Sequence, residues 1–259
     1  MNKTYKSIIG TVVAGLLAAS VNSPAAANIA FPGFNADGLD TLSFVTLESI
    51  APSTTIYFSD QEWNGLGIGS GGAFNTGESG FQWTSPAFTL GAGTVVSIND
   101  INQVGLDPIS NFGTTTFHDG ANKGISNSDE SIYAYLGGAY APTSFLAIIG
   151  NDVESVAVGS TAGTGAGVNK LHILGDEDIM AYVGPRSGLT SFADYLPFLT
   201  DSANWITQDG SGDQGIDGPA PNAPFDATPF TVVPEPTALS LGALGLLGMI
   251  FRQRLVARR

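Results

Sequence analysis

The sequence predicts an all-β fold, a single antiparallel β-sandwich, and three observations carry the prediction. Short runs rich in Val, Ile, Thr, Phe and Tyr recur through residues 28–217, and these residue types suit a pleated, half-buried surface. Clusters of Gly, Asn, Asp, Ser and Pro separate the runs at intervals too short for helices. The chain of 259 residues has no cysteine, so a packed core rather than a disulfide framework must hold it, and it is long enough to build one.

Taken in order, Ile29 to Phe34 makes a first strand, ended by the turn sequence Asn35-Ala36-Asp37-Gly38. Leu42 to Leu47 is mostly apolar, as suits a strand covered on both faces. Ile50-Ala51-Pro52-Ser53 turns the chain into Thr55 to Phe58, and Asp60-Gln61-Glu62-Trp63 then leads into a long glycine-rich loop, Gly65 to Gly80. Phe81 to Thr84 alternates as a half-buried strand should, and Thr94 to Ile98 follows through Gly91-Ala92-Gly93. Further strands are expected at Ser131 to Leu136, Ser144 to Ile149 and Ile179 to Val183. Only Thr190 to Leu199 reads as helical: Ser191 and Asp194 suit a capped start, and Phe192, Tyr195, Leu196 and Leu199 share one face, although Pro197 interrupts it. Pro219, Pro221, Pro224 and Pro229 stiffen residues 218–232, which read as an extended linker or last edge strand holding the body off a membrane. Ser43-Phe44-Val45, Ala51-Pro52, Ile56-Tyr57-Phe58 and Asp60 are echoed by Ser131-Ile132-Tyr133, Ala141-Pro142, Phe145-Leu146-Ala147 and Asp152, a pattern that hairpin chemistry explains as well as duplication.

Both ends carry export signals. Lys3 and Lys6, the apolar run Ile8 to Ala19, and the small residues Ala25 and Ala27 form a secretory signal over residues 1–27, cut after Ala27 to leave Asn28 first. At the other end Thr237 to Phe251 is apolar; its fifteen residues reach roughly 22 Å as a helix, short of a bilayer core of about 30 Å. Arg252, Arg254, Arg258 and Arg259 follow with no acid among them, which keeps that end cytoplasmic and the body outside the inner membrane. Val233-Pro234-Glu235-Pro236 stands before the span, held extended by its prolines. Pro-Glu-Pro, a short apolar helix and an Arg-rich terminus, in that order over residues 233–259, resemble the PEP-CTERM sorting signal of Gram-negative bacteria. The N-terminal signal calls for cleavage by signal peptidase, and the resemblance of the tail implies its recognition and removal by an exosortase-type membrane protease, with passage from the inner membrane to the cell surface or matrix, often beside extracellular polysaccharide. Separately, Gly33-Phe34-Asn35-Ala36-Asp37-Gly38, Phe44-Val45, Thr55-Ile56-Tyr57-Phe58-Ser59-Asp60 and Glu62-Trp63 resemble the lamin-tail-like, immunoglobulin-type sandwich module of exported bacterial proteins. That likeness bears on the fold and not on activity.

Charge excludes one class of partner. From Asn28 to Val232 only Lys123, Lys170 and Arg186 are basic against 22 acids, a formal charge of −19. Nucleic-acid binding needs basic surface to neutralise phosphates, and none is present. Most carboxylates must then be solvated, hydrogen-bonded in turns, or bound to metal.

No catalytic constellation stands out. His118, in the turn-like Phe117-His118-Asp119-Gly120, and His172 belong to no two-histidine metal motif and read as structural. There is no Gly-x-Ser-x-Gly elbow, and Gly163-Thr164-Gly165-Ala166-Gly167 is merely flexible. Paired carboxylates for glycoside cleavage carry little signal when acids are so abundant. Calcium is the more credible chemistry: Asp209, Asp213 and Asp217 place carboxylates at every fourth position of a glycine-rich loop able to curl around a hard cation. Asn35 to Asp40 and Asp176-Glu177-Asp178 are further candidates, against the alternative of solvated acidic turns. Trp63, Trp83, Trp205, Tyr57, Tyr133 and Tyr140 could stack on sugars, but such rings more often fill a core. The expectation is an exported, non-enzymatic surface or matrix protein with extracellular polysaccharide as partner and no certain cofactor; a calcium-dependent carbohydrate-binding or adhesin module is the alternative, and a secreted hydrolase ranks last.

Overall fold

The computed structural model describes residues 28–103, 105–119, 123–127, 130–150, 164–165, 168–172, 177–209 and 221–233. The signal segment up to Ala27, the Pro234-Glu235-Pro236 strip, the apolar span and the Arg cluster lie outside them. Among the described residues no helix is long and apolar enough to cross a membrane.

The fold is all-β, and its strands fall into two six-stranded sheets. The first runs, in spatial order, β12 (Trp205–Gln208), β11 (Ile179–Tyr182), β1 (Ile29–Asn35), β2 (Thr41–Thr46), β5 (Val95–Asn99) and β6 (Ile109–Ser110). The second runs β10 (Asn169–His172), β9 (Ala141–Gly150), β8 (Ser131–Gly138), β3 (Thr55–Ser59), β4 (Gly80–Thr84) and β7 (Thr114–Asp119). Neighbours are antiparallel except β9 and β10, which are parallel, so the all-antiparallel expectation is corrected at that edge.

One core lies between the sheets. Ile56 and Phe58 of β3, Phe81 and Trp83 of β4, and Ile132 and Ala134 of β8 face Phe31, Phe34, Leu42 and Phe44 of β1 and β2. Phe44 meets Trp83 edge-on at 5.0 Å between centroids, and Phe58 stacks on Phe81 at 4.9 Å. Such contacts, made at alternating positions except across the irregularity between Ala30 and Gly33 in β1, fix each strand's register, because a one-residue slip would turn the set outward.

The outer faces are covered as well. Every residue of β1 and β2 is buried, as the mostly apolar second strand predicts. Ser43 alternates with the core residues Leu42 and Phe44, so its partner Gly33 presents the outer face, and a Cβ on Gly33 would fall 2.6 Å from the Phe225 ring. Phe225 belongs to residues 221–233, which do not stand off the body. Phe230, Thr231 and Val233 donate their backbone N–H to the carbonyls of Gly93, Arg186 and Leu189, each at 2.8 Å, and Val232 bridges Leu189 in parallel. Phe230 is 2% exposed and packs edge-on to Tyr195 at 5.1 Å. Prolines leave a chain extended but free to dock by side chains and by the N–H groups between them. The same face receives the helical segment the sequence predicts, a 3₁₀ turn at Phe192–Tyr195 running into α1 (Leu196–Leu199), with Tyr195 and Leu199 buried as expected and Pro197 in its first turn; a further 3₁₀ turn, Ser202–Asn204, leads into β12.

Sheet two is covered by the Gly65–Gly80 loop. Trp63, 1% exposed, bridges Phe74, and its indole N–H donates to the Leu66 carbonyl at 2.8 Å. Phe74 sits 5.5 Å from Tyr133 and 5.3 Å from Tyr135, and Trp63 lies 5.0 Å from Phe145. A Cβ on Gly72 would meet the Trp63 ring at 2.3 Å, so glycine there serves close packing. The loop is a folded cover with its own small core.

Candidate acidic site

Four acids gather where three strands of the second sheet end together. Ser59, last in β3, pairs with Gly80 of β4 on one side and Tyr133 of β8 on the other. Asp60 and Glu62 leave β3 at that end, while Glu78 leads into β4 and Glu130 into β8. Antiparallel pairing therefore brings together residues far apart in sequence. Asp60 and Glu130 are 5% and 6% exposed; Glu62 and Glu78 are half-buried.

Hydrogen bonds fix part of the rim. The Ser79 hydroxyl donates to Asp60 Oδ2 at 3.1 Å, and the Gln61 amide to the Glu78 carbonyl at 3.1 Å. Ser131 N–H donates to Glu130 Oε1 at 3.2 Å. Asn75 N–H donates to the Glu62 carbonyl at 3.0 Å, tying the cover loop to the rim. Yet Asp60 Oδ1, Glu62 Oε2 and Glu78 Oε2 are each shielded from solvent with no hydrogen-bond donor. The space beside Asp60 is a cavity of about 10 Å³ walled by Ser79, Ile101 and Ile125, on the order of one water.

Electrostatics follow from this placement. Burial, then the charge of Glu78, pushes the Asp60 carboxyl up to about 8. Burial, then Asp60, Glu78 and Glu62, pushes Glu130 up to about 9. Burial and the Glu62 charge raise Glu78 to about 7. The charges that act on these groups are other carboxylates. Asp40, from the facing sheet, is 3% exposed at the same pole and is raised to about 7, chiefly by burial, but donors serve both its oxygens: Ile125 N–H at 2.5 Å and the Asn102 amide at 3.2 Å.

Of the sites the sequence singles out, Asp209 is exposed just past β12, and Asp213 and Asp217 lie outside the described residues. Among the described residues no three acidic or histidine side chains already converge as a metal site. Asn35 and Asp37 form a hydrogen-bonded turn, with Asn35 Oδ1 accepting from Asp37 N–H at 3.1 Å. His118 lies in β7 and not in a turn, its ring 4.7 Å from Tyr140 and 5.7 Å from Tyr57, against Gly80. His172 lies in β10. Trp63, Trp83, Trp205 and Tyr133 are buried, which fits the core reading of the aromatics.

A second concavity, a cleft of about 510 Å³, opens between β11 and the docked C-terminal segment. Arg186 stands in it, already engaged: Nη1 donates to the carbonyls of Asp226 at 3.1 Å and Thr228 at 3.0 Å, and Nε lies 3.4 Å from Asp226 Oδ2. The guanidinium covers the Phe230 ring at 5.0 Å. These contacts clamp the segment, and Arg186 serves the fold there.

Comparison of the chain with protein-family models, curated proteins and solved structures finds no match in any of the three.

Proposed function

We propose that this chain is an exported surface or extracellular-matrix protein that works by binding rather than catalysis and reaches its destination through a cleavable C-terminal sorting tail. The observation that carries the reading is the order of segments in the sequence: an N-terminal secretory signal, an acidic body, and Pro234-Glu235-Pro236 followed by a short apolar run and an Arg-rich end. The described residues between the two signals form an all-β body. The two six-stranded sheets on one core support a lamin-tail-like sandwich as the displayed module. Its formal charge of −19 disfavours direct association with an anionic polymer, so a neutral extracellular polysaccharide, or one bridged by cations, is the fitting partner.

The test follows an epitope tag through cell fractions of a host that processes such tails. The tag goes between Ala87 and Phe88, both exposed, because the Gly65–Gly80 loop is packed. The wild-type chain is expected to leave the inner membrane shortened by its tail, and a chain with Pro234→Ala and Pro236→Ala to stay there. Retention of the intact wild-type chain in the inner membrane refutes the reading.

A further inference from the structure

The acidic rim presents an imbalance that its own hydrogen bonds do not resolve. At Asp40 a buried carboxylate is met by two donors. At Asp60, 5% exposed, one oxygen accepts from Ser79 while Oδ1 has no donor, and Glu62 and Glu78 each hold a further shielded oxygen in the same condition. The adjoining cavity, about 10 Å³, has room for no more than about one water among these oxygens. The body has only three basic side chains: Arg186 is clamped on the docked segment, Lys123 donates to the carbonyls of Gln103 and Leu106, and Lys170 lies on β10, two strands from β8. Crowded buried carboxyls with vacant acceptor positions either keep their protons or are completed by a cation that lets them ionise.

We propose that Asp60, Glu62, Glu78 and Glu130 bind a divalent cation, calcium, at the rim of the second sheet. The donor set is oxygen alone, which selects a hard cation, and the chain offers no cysteine. Calcium accepts six to eight oxygens in irregular geometry, as suits acids drawn from three strand ends, whereas magnesium demands a near-ideal octahedron and keeps several waters. Since no three of these groups already converge, binding turns Glu62 and Glu78, both half-buried at the two ends of the cover loop, inward onto Asp60 and Glu130. That movement draws together the two ends of the already packed loop, because Glu62 adjoins Trp63 and its carbonyl holds Asn75. The site is distinct from the Asp209 loop and does not depend on whether the tail is processed.

The experiment uses the purified full-length chain in detergent, calcium chloride as the only added ligand, and terbium luminescence, sensitised by the neighbouring Trp63 and Tyr133, as a displacement readout. Saturable calcium binding in the range of about 10⁻⁴–10⁻³ M, as in extracellular modules, is expected. Glu62→Gln and Glu78→Gln keep shape at half-buried positions; each should remain folded by circular dichroism and weaken binding by about tenfold or more. A chain with Asp209→Asn, Asp213→Asn and Asp217→Asn should bind as the wild type does. Absence of saturable binding in the wild type, unaltered affinity in both Gln variants, or loss of binding in the Asp209 triple variant alone would each overturn the assignment. Since purified protein is assayed, the result is independent of the sorting experiment.

Discussion

Removing divalent cations should make this protein less stable as pH rises from 5 to 7. Over that window an unfolded chain has its Asp and Glu side chains ionised, their ordinary values lying near 4. In the folded body Asp60 and Glu130 release their protons only at about 8 and 9, because burial comes first and neighbouring carboxylates add to it. Those two groups then hold two protons that the unfolded state has lost, each subtracting about 1.4 kcal/mol per pH unit, and Asp40 and Glu78, raised to about 7, steepen the loss below that pH. From pH 5 to 7 the two together subtract up to about 5.5 kcal/mol, against a total stability of order 5–15 kcal/mol. Outward rotation of Glu130, or water reaching the rim, reduces the loss, so a fall of roughly 2–5 kcal/mol is expected. For a domain of about 200 residues that is a drop in Tm of roughly 4–20 °C. Asp194 and Asp226, held low chiefly by the hydroxyls of Thr190 and Thr228, are ionised in both states here and add nothing to the slope. Calorimetric melts in chelator at half-unit steps of pH measure the effect. A Tm that is flat or rises from pH 5 to 7 would refute burial of uncompensated acids at this rim, and calcium should flatten the fall if it binds there.

Two further predictions concern the covers of the sheets. Phe230→Ala should lower stability by about 3–5 kcal/mol, the range for truncating a buried aromatic, and should open residues 221–233 to proteolysis; a melting temperature within 2 °C of wild type, about the resolution of a 1 kcal/mol effect, would mean the segment is only loosely placed. Gly72→Ala forces a methyl to within 2.3 Å of the Trp63 ring, so the loop must shift and Trp63 emission should move to the red, a spectral change that an unpacked loop would not give.

Much of the fold is legible in the sequence because its strands are bounded by turn chemistry. Leu42–Leu47 and Phe81–Thr84 declare their environment through an apolar run and an alternation, and both agree with the observed burial. β7 escapes detection because Phe117-His118-Asp119-Gly120 carries turn residues, while pairing with β4 overrides that local preference. β10 and β12, four residues each, are too short for a periodic signal. The apparent repeat dissolves in space: β2 and β3 lie in different sheets, while β8 and β9 pair as a hairpin. The last-edge-strand reading of the Pro-rich segment fits the Leu189–Val232 bridge, whereas its stand-off from the body does not hold, because prolines report extension but not contact. The acidic rim is illegible for a different reason. Positions 60, 62, 78 and 130 form no motif, and only the order β4–β3–β8 places them side by side. The one sequence signal is an acid flanking each of three strands, which gains meaning once their neighbours are known.

The docking of residues 221–233 gives the molecule a direction. Asn28 accepts a backbone bond from Leu47, Gly93 donates to Thr46, and Phe230 donates back to Gly93, so the first described residues and the docked segment meet at one corner. Asp40 and the acidic rim stand at the other end of β2, six residues away, or roughly 20 Å at about 3.3 Å per residue. A protein tethered at that corner, as the proposed sorting tail implies, would hold its carboxylates at the pole facing away from the tether, like a lamp fixed at its base.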